Sequence, residues 1–258
     1  MVTWTEGAIA IAGTEIRLTR AGKGRAVLVL HRDIGMMEGS RFLDELARSA
    51  EVIVPHHAGW GCSPRAEWMR SVRDMAVLHR GLLAELGIER AALVGLGFGG
   101  WVAAEMATMA PRDVAKLVLV APMGIKPSEG DIFDQAIVSY IDYARAGFHD
   151  QSKFDKVYGA EPSTDQLETW DIAREMCFRI AWKPYMYSQT LPHLLGSVKA
   201  PTLIAWGDKD KIVPVSTAKR YQAALPNAKL EVIENCGHCV DLEQPERLAG
   251  LVSSFIAR

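Results

Sequence analysis

The sequence predicts an α/β fold in which a mostly parallel sheet is flanked by helices and interrupted by one helical insert. Short apolar runs alternate with segments of helical periodicity along the first half of the chain. Two of these runs, residues 25–31 and 51–55, are continuous apolar stretches, as expected for strands buried on both faces. Across residues 123–199 no strand pattern appears and aromatic residues accumulate, and the strand–helix alternation resumes at residue 200.

The predicted strands and helices follow one another along the chain as a hairpin and then alternating strands and helices. A hairpin that turns at Gly13-Thr14 comes first. Strands are then predicted at residues 25–31, 51–55, 91–95, 116–122, 200–210 and 230–234, and helices at 71–87, after Gly99 and at 245–257. We therefore expect residues 1–122 and 200–258 to form the sheet-containing core and residues 123–199 to form a helical cap over one edge of the sheet.

Composition excludes several classes of protein. A chain of 258 residues is long enough for one well-cored domain with an insertion, and its net charge of −2 gives no basis for binding nucleic acid or an anionic membrane. No apolar run reaches the roughly 20 residues that span a bilayer, and the first residues lack a signal-peptide pattern. Four cysteines are too few for a disulfide scaffold. The expectation is a cytoplasmic protein that binds neither nucleic acid nor membrane; oligomeric state is not indicated.

Three segments carry the candidate active site. The turn G-L-G-F-G (95–99) lies between a strand and a helix, WGDKDKIVP (206–214) follows a later strand, and NCGHC (235–239) follows the last one. In this order the three segments resemble those of the α/β-hydrolase family, whose members carry the nucleophile first along the chain, then the acid and then the histidine. The resemblance covers nearly the whole chain and implies an eight-stranded α/β-hydrolase fold with a helical cap after the sixth strand. The chain looks most similar to the branch containing C–C bond hydrolases and esterases.

The resemblance assigns the catalytic acid to Asp210 and the catalytic histidine to His238. A carboxylate holds the imidazole tautomer and stabilises it once protonated, which makes the histidine a base near neutral pH. Asp208 in the same GDKD segment has equivalent chemistry, although the family spacing favours Asp210. The nucleophile position falls on Gly97. Glycine adopts the strained backbone of such a turn almost freely, so the turn is preserved and only the attacking oxygen is absent.

The resemblance also locates the oxyanion hole and a substrate pocket. The expected oxyanion donors are the backbone N–H groups of Phe98 and Asp33, and Arg32 stands where the family has glycine. The Asp33 side chain either repels an oxyanion or acts as an acid or base; alternatively, Arg32 and Asp33 pair with each other or with solvent. The expected pocket favours a flat or apolar substrate and is lined by His31, Arg32, Met123, Trp182, Tyr185 and Tyr187.

Other motifs point to metal or thiol chemistry more weakly. His56 and His57, taken together with His31 and His238, suggest a metal site, but the sequence lacks the fixed spacing with acidic or thiolate partners that metal sites have. No metal is therefore predicted. The C-x-x-C around His238 has no second ligand pair, so zinc and redox roles are not favoured. A remaining alternative is that a thiol, from Cys62 or Cys239, replaces the missing nucleophile.

A nucleotide cofactor is not predicted either. GLGFGG (95–100) fits the dinucleotide pattern G-x-G-x-x-G between a strand and a helix. That pattern belongs in the first strand–helix unit, however, and Asp113 falls before the next strand rather than at its end. The sequence thus implies no organic cofactor.

Four functions remain open from the sequence. In the first, His238 and Asp210 activate a water that replaces the missing oxygen and hydrolyses an ester, a lactone or a C–C bond beside a ketone. In the second, the same pair transfers protons without hydrolysis, as in a lyase, an isomerase or a cofactor-free oxygenase. The third is non-catalytic binding of a ligand, and the fourth is a serine enzyme disabled by substitution at Gly97. The expected partner is a small apolar or aromatic molecule.

Overall fold

The computed structural model describes residues 2–37 and 39–258. Among these residues, eight strands form one sheet in the spatial order β1-β2-β4-β3-β5-β6-β7-β8. Strand β2 runs antiparallel to β1 and β4, and the other neighbouring pairs are parallel. The predicted hairpin and mostly parallel sheet are confirmed. The strands are β1 (Thr5–Ile11), β2 (Thr14–Ala21), β3 (Ala26–Leu30), β4 (Glu51–Pro55), β5 (Ala91–Leu96), β6 (Val114–Val120), β7 (Thr202–Gly207) and β8 (Ala228–Ile233).

The helices flank this sheet, and four of them fall between β6 and β7. They are α1 (Arg41–Ala47), α2 (Val72–Glu85), α3 (Phe98–Met109), α4 (Tyr140–Ala146), α5 (Gln151–Tyr158), α6 (Thr164–Ala181), α7 (Leu191–Leu194) followed by a 3₁₀ turn, α8 (Ser216–Ala224), α9 (Val240–Glu243) and α10 (Pro245–Ala257). Helix α10 matches the predicted residues 245–257. Helix α2 begins after Ser71, whose hydroxyl accepts the N–H of Asp74 at 3.1 Å. No helix in the described part of the chain is long and apolar enough to cross a membrane.

The central strands are buried on both faces because each face packs against its own layer of helices. Successive side chains alternate between the faces, so Leu93 joins one apolar cluster and Val94 joins the other. The first cluster includes Val102 of α3 together with residues of α2 and α8. The second includes Phe42 of α1 and Leu248 of α10. This two-layer burial explains why these strands read as continuous apolar runs.

Residues 123–199 contact the edge of the sheet at which the parallel strands end. The hydroxyl of Tyr143 donates to Asp33 in the loop after β3. Gly147 accepts the N–H of Cys239, in the loop after β8, at 2.9 Å. The N–H of Phe133 donates to the carbonyl of Ile212, after β7, at 2.8 Å. The helical segment therefore lies over the loops that carry the candidate site, while the boundaries proposed for it as a cap domain stay a prediction.

The turn between β5 and α3 brings the helix very close to β3. A Cβ atom on Gly99 would lie 2.2 Å from the carbonyl oxygen of Leu30 and 2.5 Å from that of His31. Both neighbours are backbone atoms of a buried strand end, so they have no freedom to move away. Glycine at this position is what allows α3 to start directly beneath the site.

We predict opposite effects from two glycine-to-alanine substitutions. Gly99→Ala should lower the free energy of unfolding by about 1–3 kcal/mol or more, because the methyl group overlaps backbone atoms. Gly250→Ala, on the exposed face of α10 with nothing within 4 Å of the new atom, should raise it by about 0.5–1 kcal/mol. Urea unfolding measures both, and equal stability of the two variants would contradict the close packing.

Candidate active site

Gly97 occupies the tip of the turn between β5 and α3. Its backbone has φ +52° and ψ −113°, a conformation that costs a residue with a side chain about 1–3 kcal/mol. Its N–H donates to Val120 at 2.9 Å, and its carbonyl accepts the N–H of Met123 at 3.1 Å. The next residue, Phe98, is the first of α3, where an N–H has no acceptor within the helix. The backbone donor assigned to Phe98 thus lies beside the turn.

His238 and Asp210 are hydrogen-bonded to each other. The distance from His238 Nδ1 to Asp210 Oδ2 is 2.8 Å, and both side chains are buried. Asp210 Oδ1 also accepts the backbone N–H groups of Ile212 at 2.8 Å and Val213 at 2.9 Å. Since a carboxylate can only accept, we assign the proton of the neutral imidazole to Nδ1, which leaves Nε2 as an acceptor.

The imidazole of His238 lies directly over Gly97. A Cβ atom on Gly97 would be 2.8 Å from His238 Nε2 and 3.3 Å from Arg32 Cβ. Nε2 is buried and has no hydrogen-bond partner among the described residues. The site expected to carry a nucleophile is therefore flanked closely by the candidate base and by Arg32, and a side chain at position 97 would require the ring to move.

Asp208, the alternative acid, and Cys239 and Cys62, the alternative nucleophiles, lie in environments that differ from those of Asp210 and Gly97. Asp208 accepts the N–H of Cys236 at 3.3 Å and pairs with Lys209 at 3.0 Å, rather than contacting His238. Cys239 is buried, and burial raises the pKa of its thiol to about 11, which disfavours the thiolate. Cys62 is exposed on the loop after β4.

Arg32 and Asp33 are both buried, and each has a partner on another element. Arg32 Nη2 forms an ion pair with Asp241, with side chains 3% and 1% exposed. Asp33 Oδ2 accepts the hydroxyl of Tyr143 at 2.7 Å, and burial and this carboxylate raise the pKa of Tyr143 well above its usual value. The interpretation that Arg32 and Asp33 pair with each other or with solvent is therefore wrong. The partners lie 209 and 110 residues away along the chain, so no local pattern could reveal them.

A small cavity lies between these groups. Its volume is about 10 Å³, close to the space one water molecule needs. Five of its nine lining residues have charged or titratable side chains, although most of the exposed wall surface is apolar. The lining residues are Arg32, Asp33, Ile34, Tyr143, Ala144, Gly147, Ile212, His238 and Cys239.

Five of the six residues expected to form a substrate pocket, including the fully buried His31, are not among the described residues that line this cavity. Met123 is buried behind the turn, where its carbonyl accepts the hydroxyl of Tyr221. Trp182 is 48% exposed at the end of α6, and its ring packs edge-on against that of Tyr185 with centroids 5.9 Å apart. Tyr187 forms a backbone bridge with Gly124. These side chains pack among themselves and against the core rather than around His238.

Three buried histidines form a hydrogen-bonded chain beneath the loop that carries Arg32. His31 Nε2 accepts the N–H of His57 at 3.0 Å, so His31 Nδ1 holds a proton and donates to the Arg32 carbonyl at 2.7 Å. His57 Nε2 donates to the His31 carbonyl at 3.1 Å, so its Nδ1 accepts from His79 Nε2 at 2.7 Å. The three rings are thereby assigned as neutral, and they hold the loops after β3 and β4 together. Sequence analysis did not single out His79, which has ordinary helical spacing in α2.

The three histidines of this chain are held as buried neutral groups. Burial lowers the pKa of His31 and His57 well below the usual range and lowers that of His79 to about 3. His56, also named by the sequence, is half-buried nearby. Within residues 2–37 and 39–258, no group of three or more His, Cys, Asp or Glu is arranged to hold a metal ion.

A further buried carboxylate positions the loop of His238. Glu243 is 2% exposed and accepts the N–H groups of Gly237 at 2.7 Å, His149 at 3.2 Å and Asp150 at 2.8 Å. It therefore ties the residue before His238 to the segment that begins α5. Sequence analysis missed Glu243, because a glutamate in a charged, helix-forming run reads as solvent-exposed.

The histidine chain predicts acid-sensitive stability. Below about pH 6.5 the unfolded chain binds protons that the folded rings exclude, so the free energy of unfolding should fall with pH by roughly 1.4 kcal/mol per unit for His79 alone. This loss continues until the pH approaches the folded pKa of about 3. His79→Gln keeps an N–H donor for His57 and should flatten the slope, whereas His193→Gln, on the exposed α7 surface, should leave it unchanged. Urea unfolding at pH 7.5, 6.0 and 5.0 tests this, and an unaltered slope in His79→Gln would contradict it.

Comparisons with known proteins agree with this fold. The chain is 30% identical to a 2-hydroxy-6-oxononadienedioate/2-hydroxy-6-oxononatrienedioate hydrolase of Paraburkholderia phymatum, over 100% of this chain and 99% of the relative. It is 28% identical to the 2-hydroxymuconate semialdehyde hydrolase of Pseudomonas sp., over 96% and 93% of the two chains. Among solved structures, the meta-cleavage product hydrolase of Pseudomonas fluorescens IP01 is similar in fold, with a TM-score of 0.83, 23% identity and 97% of each chain covered.

A family model agrees with these individual similarities. The model of the alpha/beta hydrolase family matches residues 27–251, which include β3 to β8, the turn at Gly97, and both Asp210 and His238. The observed sheet order, with a helical segment between β6 and β7, is the architecture that the sequence resemblance implies. The chain therefore belongs to the alpha/beta hydrolase family.

Proposed function

We propose that this protein hydrolyses a small carbonyl compound by direct attack of water, with His238 as base and Asp210 as its positioning carboxylate. The observation that carries the proposal is the state of His238 Nε2. This atom is an acceptor, buried and unpartnered among the described residues. It lies over Gly97, beside a cavity of about one water.

The chemistry needs no covalent intermediate. His238 Nε2 takes a proton from water while the water oxygen forms a bond to the carbonyl carbon, whose π electrons move onto the carbonyl oxygen. Asp210 stabilises the resulting imidazolium, and the N–H of Phe98 donates to the oxyanion. When the carbonyl re-forms, the bond to the leaving atom breaks, and that atom keeps the electron pair and takes the proton from Nε2. The net reaction adds one water across the bond.

The substrate class follows from the relatives and the chemistry together. The two similar curated proteins are named as a hydrolase of 2-hydroxy-6-oxononadienedioate and 2-hydroxy-6-oxononatrienedioate and a hydrolase of 2-hydroxymuconate semialdehyde. In the 2-oxo tautomer of such compounds, the C–C bond next to the 6-oxo group can be cleaved because the electron pair of the departing carbon is delocalised through the conjugated C=C bond onto the 2-oxo group. We propose this bond as the target, with esters and lactones as substrates of the same mechanism.

Access of such a substrate requires one element to move. The cavity holds about one water, and Tyr143, Ala144 and Gly147 at α4 form one side of it. Outward movement of this segment breaks the hydrogen bond between Tyr143 and Asp33 and leaves the pair of His238 and Asp210 in place. The proposed reaction therefore includes an opening step at α4.

A second candidate, proton transfer without hydrolysis, is favoured by the same cavity. A space of about 10 Å³ leaves little room for water beside a substrate, and a buried histidine base could then act on the substrate directly. The base and its carboxylate are the same in both candidates. They differ only in whether water is incorporated into the product.

Labelled water distinguishes the two candidates. The protein is incubated with 2-hydroxymuconate semialdehyde or 2-hydroxy-6-oxononadienedioate in ¹⁸O-water, and the products are analysed by mass spectrometry. We expect ¹⁸O in the new carboxylate and no labelling of the protein by a fluorophosphonate. His238→Ala and Asp210→Asn should each lower kcat by about 10⁴-fold, whereas the matched control Asp208→Asn should retain activity. Turnover without ¹⁸O would favour proton transfer, and absence of any turnover would favour a binding protein.

Substitution of Gly97 tests whether the space above the turn is used. In Gly97→Ala the new atom lies 2.8 Å from His238 Nε2 and displaces either the ring or the water. We expect kcat to fall by about 10²-fold or more and the free energy of unfolding to fall by about 1–3 kcal/mol. Gly97→Ser should lose the same water-dependent activity. If Gly97→Ser is active and the unsubstituted protein is not, the chain is a disabled serine enzyme and the water mechanism is wrong.

A further inference from the structure

We propose that Arg32 is the substrate-binding cation of this site, and that its Nε–H donates a hydrogen bond to the reacting carbonyl oxygen. This inference rests on the proposed function for its choice of reacting group. Asp241 acts as the positioning residue that holds the guanidinium in place.

The position of Arg32 relative to the base is the first support. Arg32 Cβ and His238 Nε2 lie 3.3 Å and 2.8 Å from one common point, the place of a Cβ atom on Gly97. Both residues also line the cavity of about 10 Å³. A water bound to His238 Nε2 would attack a carbonyl carbon at this place. The carbonyl group would therefore lie next to the Arg32 side chain.

The second support is an unused donor. Arg32 is 3% exposed, and its Nε is buried without a hydrogen-bond partner among the described residues. A buried donor on a charged group that lacks an acceptor is costly, since it has lost water and gained nothing in return. A ligand oxygen in the adjoining cavity would remove this cost.

The ion pair with Asp241 occupies Nη2 of Arg32 and leaves the Nε–H available to a ligand. Its carboxylate pairs with Nη2 of Arg32, and both side chains are almost completely buried. A guanidinium is planar, so fixing one nitrogen restricts the direction of the Nε–H as well. Asp241 lies three positions after His238, in helix α9, so the short helix that follows the proposed base also sets the orientation of Arg32.

Local charge indicates a neutral carbonyl rather than a carboxylate as the acceptor. The carboxyl group of Asp241 pairs with the guanidinium of Arg32. Asp33 lines the same cavity as Arg32, and Asp210 holds His238, which also lines it. A ligand carboxylate at this position would meet these negative charges at low dielectric, whereas a ketone or ester oxygen would not. As negative charge develops on that oxygen during hydrolysis, the bond from a cationic donor strengthens. Arg32 would then work together with the backbone N–H of Phe98.

Nuclear magnetic resonance of the unsubstituted protein tests this without requiring turnover. The side-chain ¹⁵Nε–H resonance of Arg32, assigned through its backbone, is followed during titration with acetone and with acetate, a neutral and an anionic probe of similar size. We expect acetone to shift this resonance and acetate to leave it unmoved, while the Nε–H of Arg41 on the exposed surface stays constant in both titrations. Three results would overturn the proposal: a shift with acetate alone, perturbation of His238 by acetone without a change at Arg32, or no response to acetone.

Kinetics provide a second measurement. Arg32→Lys keeps the charge but removes the Nε–H, and we expect it to lower kcat by about 10²–10³-fold with a smaller change in KM. Asp241→Asn should lower kcat less, and Arg41→Lys should match the unsubstituted protein. If the protein proves not to be a hydrolase, the acetone titration still decides the role of Arg32. If hydrolysis occurs and Arg32→Lys retains full kcat, the role proposed for Arg32 fails while the proposed function stands.

Discussion

The hydrogen bond between His238 Nδ1 and Asp210 Oδ2 is the constraint on which the organisation of this site depends. It joins the loops after β7 and β8, and both partners are buried, so neither can turn away to solvent. It also decides that Nε2 is the acceptor that faces Gly97. The supporting bonds to Asp210 from two backbone N–H groups, and those to Glu243 around Gly237, keep the two loops in register.

The site around His238 and Asp210 is not simply a serine site from which one hydroxyl group has been removed. Arg32 brings a buried positive charge beside the turn, and the fold provides Asp241 to neutralise it. Removing one member of such a pair leaves an uncompensated buried charge, which is strongly destabilising, so the two residues act as a unit. The residues Arg32, Asp33 and Tyr143, which take part in the ion pair and in the hydrogen bond between Asp33 and Tyr143, also line the cavity of about 10 Å³ next to His238. The same residues that organise the site therefore also shape this small cavity.

The backbone requirements of the turn and the chemistry of the turn are separable here. Gly97 meets the conformational demand at φ +52°, and Gly99 permits α3 to start against β3. Neither demand involves a reactive oxygen. A family fold can thus hold a buried pair such as His238 and Asp210 while the residue opposite the pair changes, which is why the site rather than the fold decides the reaction.

Much of this protein was determined by local sequence alone. The buried strands, the hairpin and helices α2 and α10 follow from hydrophobic periodicity and caps, because these patterns reflect burial of adjacent residues. The order of Gly97, Asp210 and His238 identified the family for the same reason: their spacing is a property of the chain. Only the tertiary structure decided that Asp241 pairs with Arg32, that Tyr143 binds Asp33 and that His79 completes the histidine chain. Each of these contacts joins residues far apart in sequence whose burial depends on the packing of whole elements. The choice of partner for a buried charge is an energetic outcome of that packing, and no single segment encodes it.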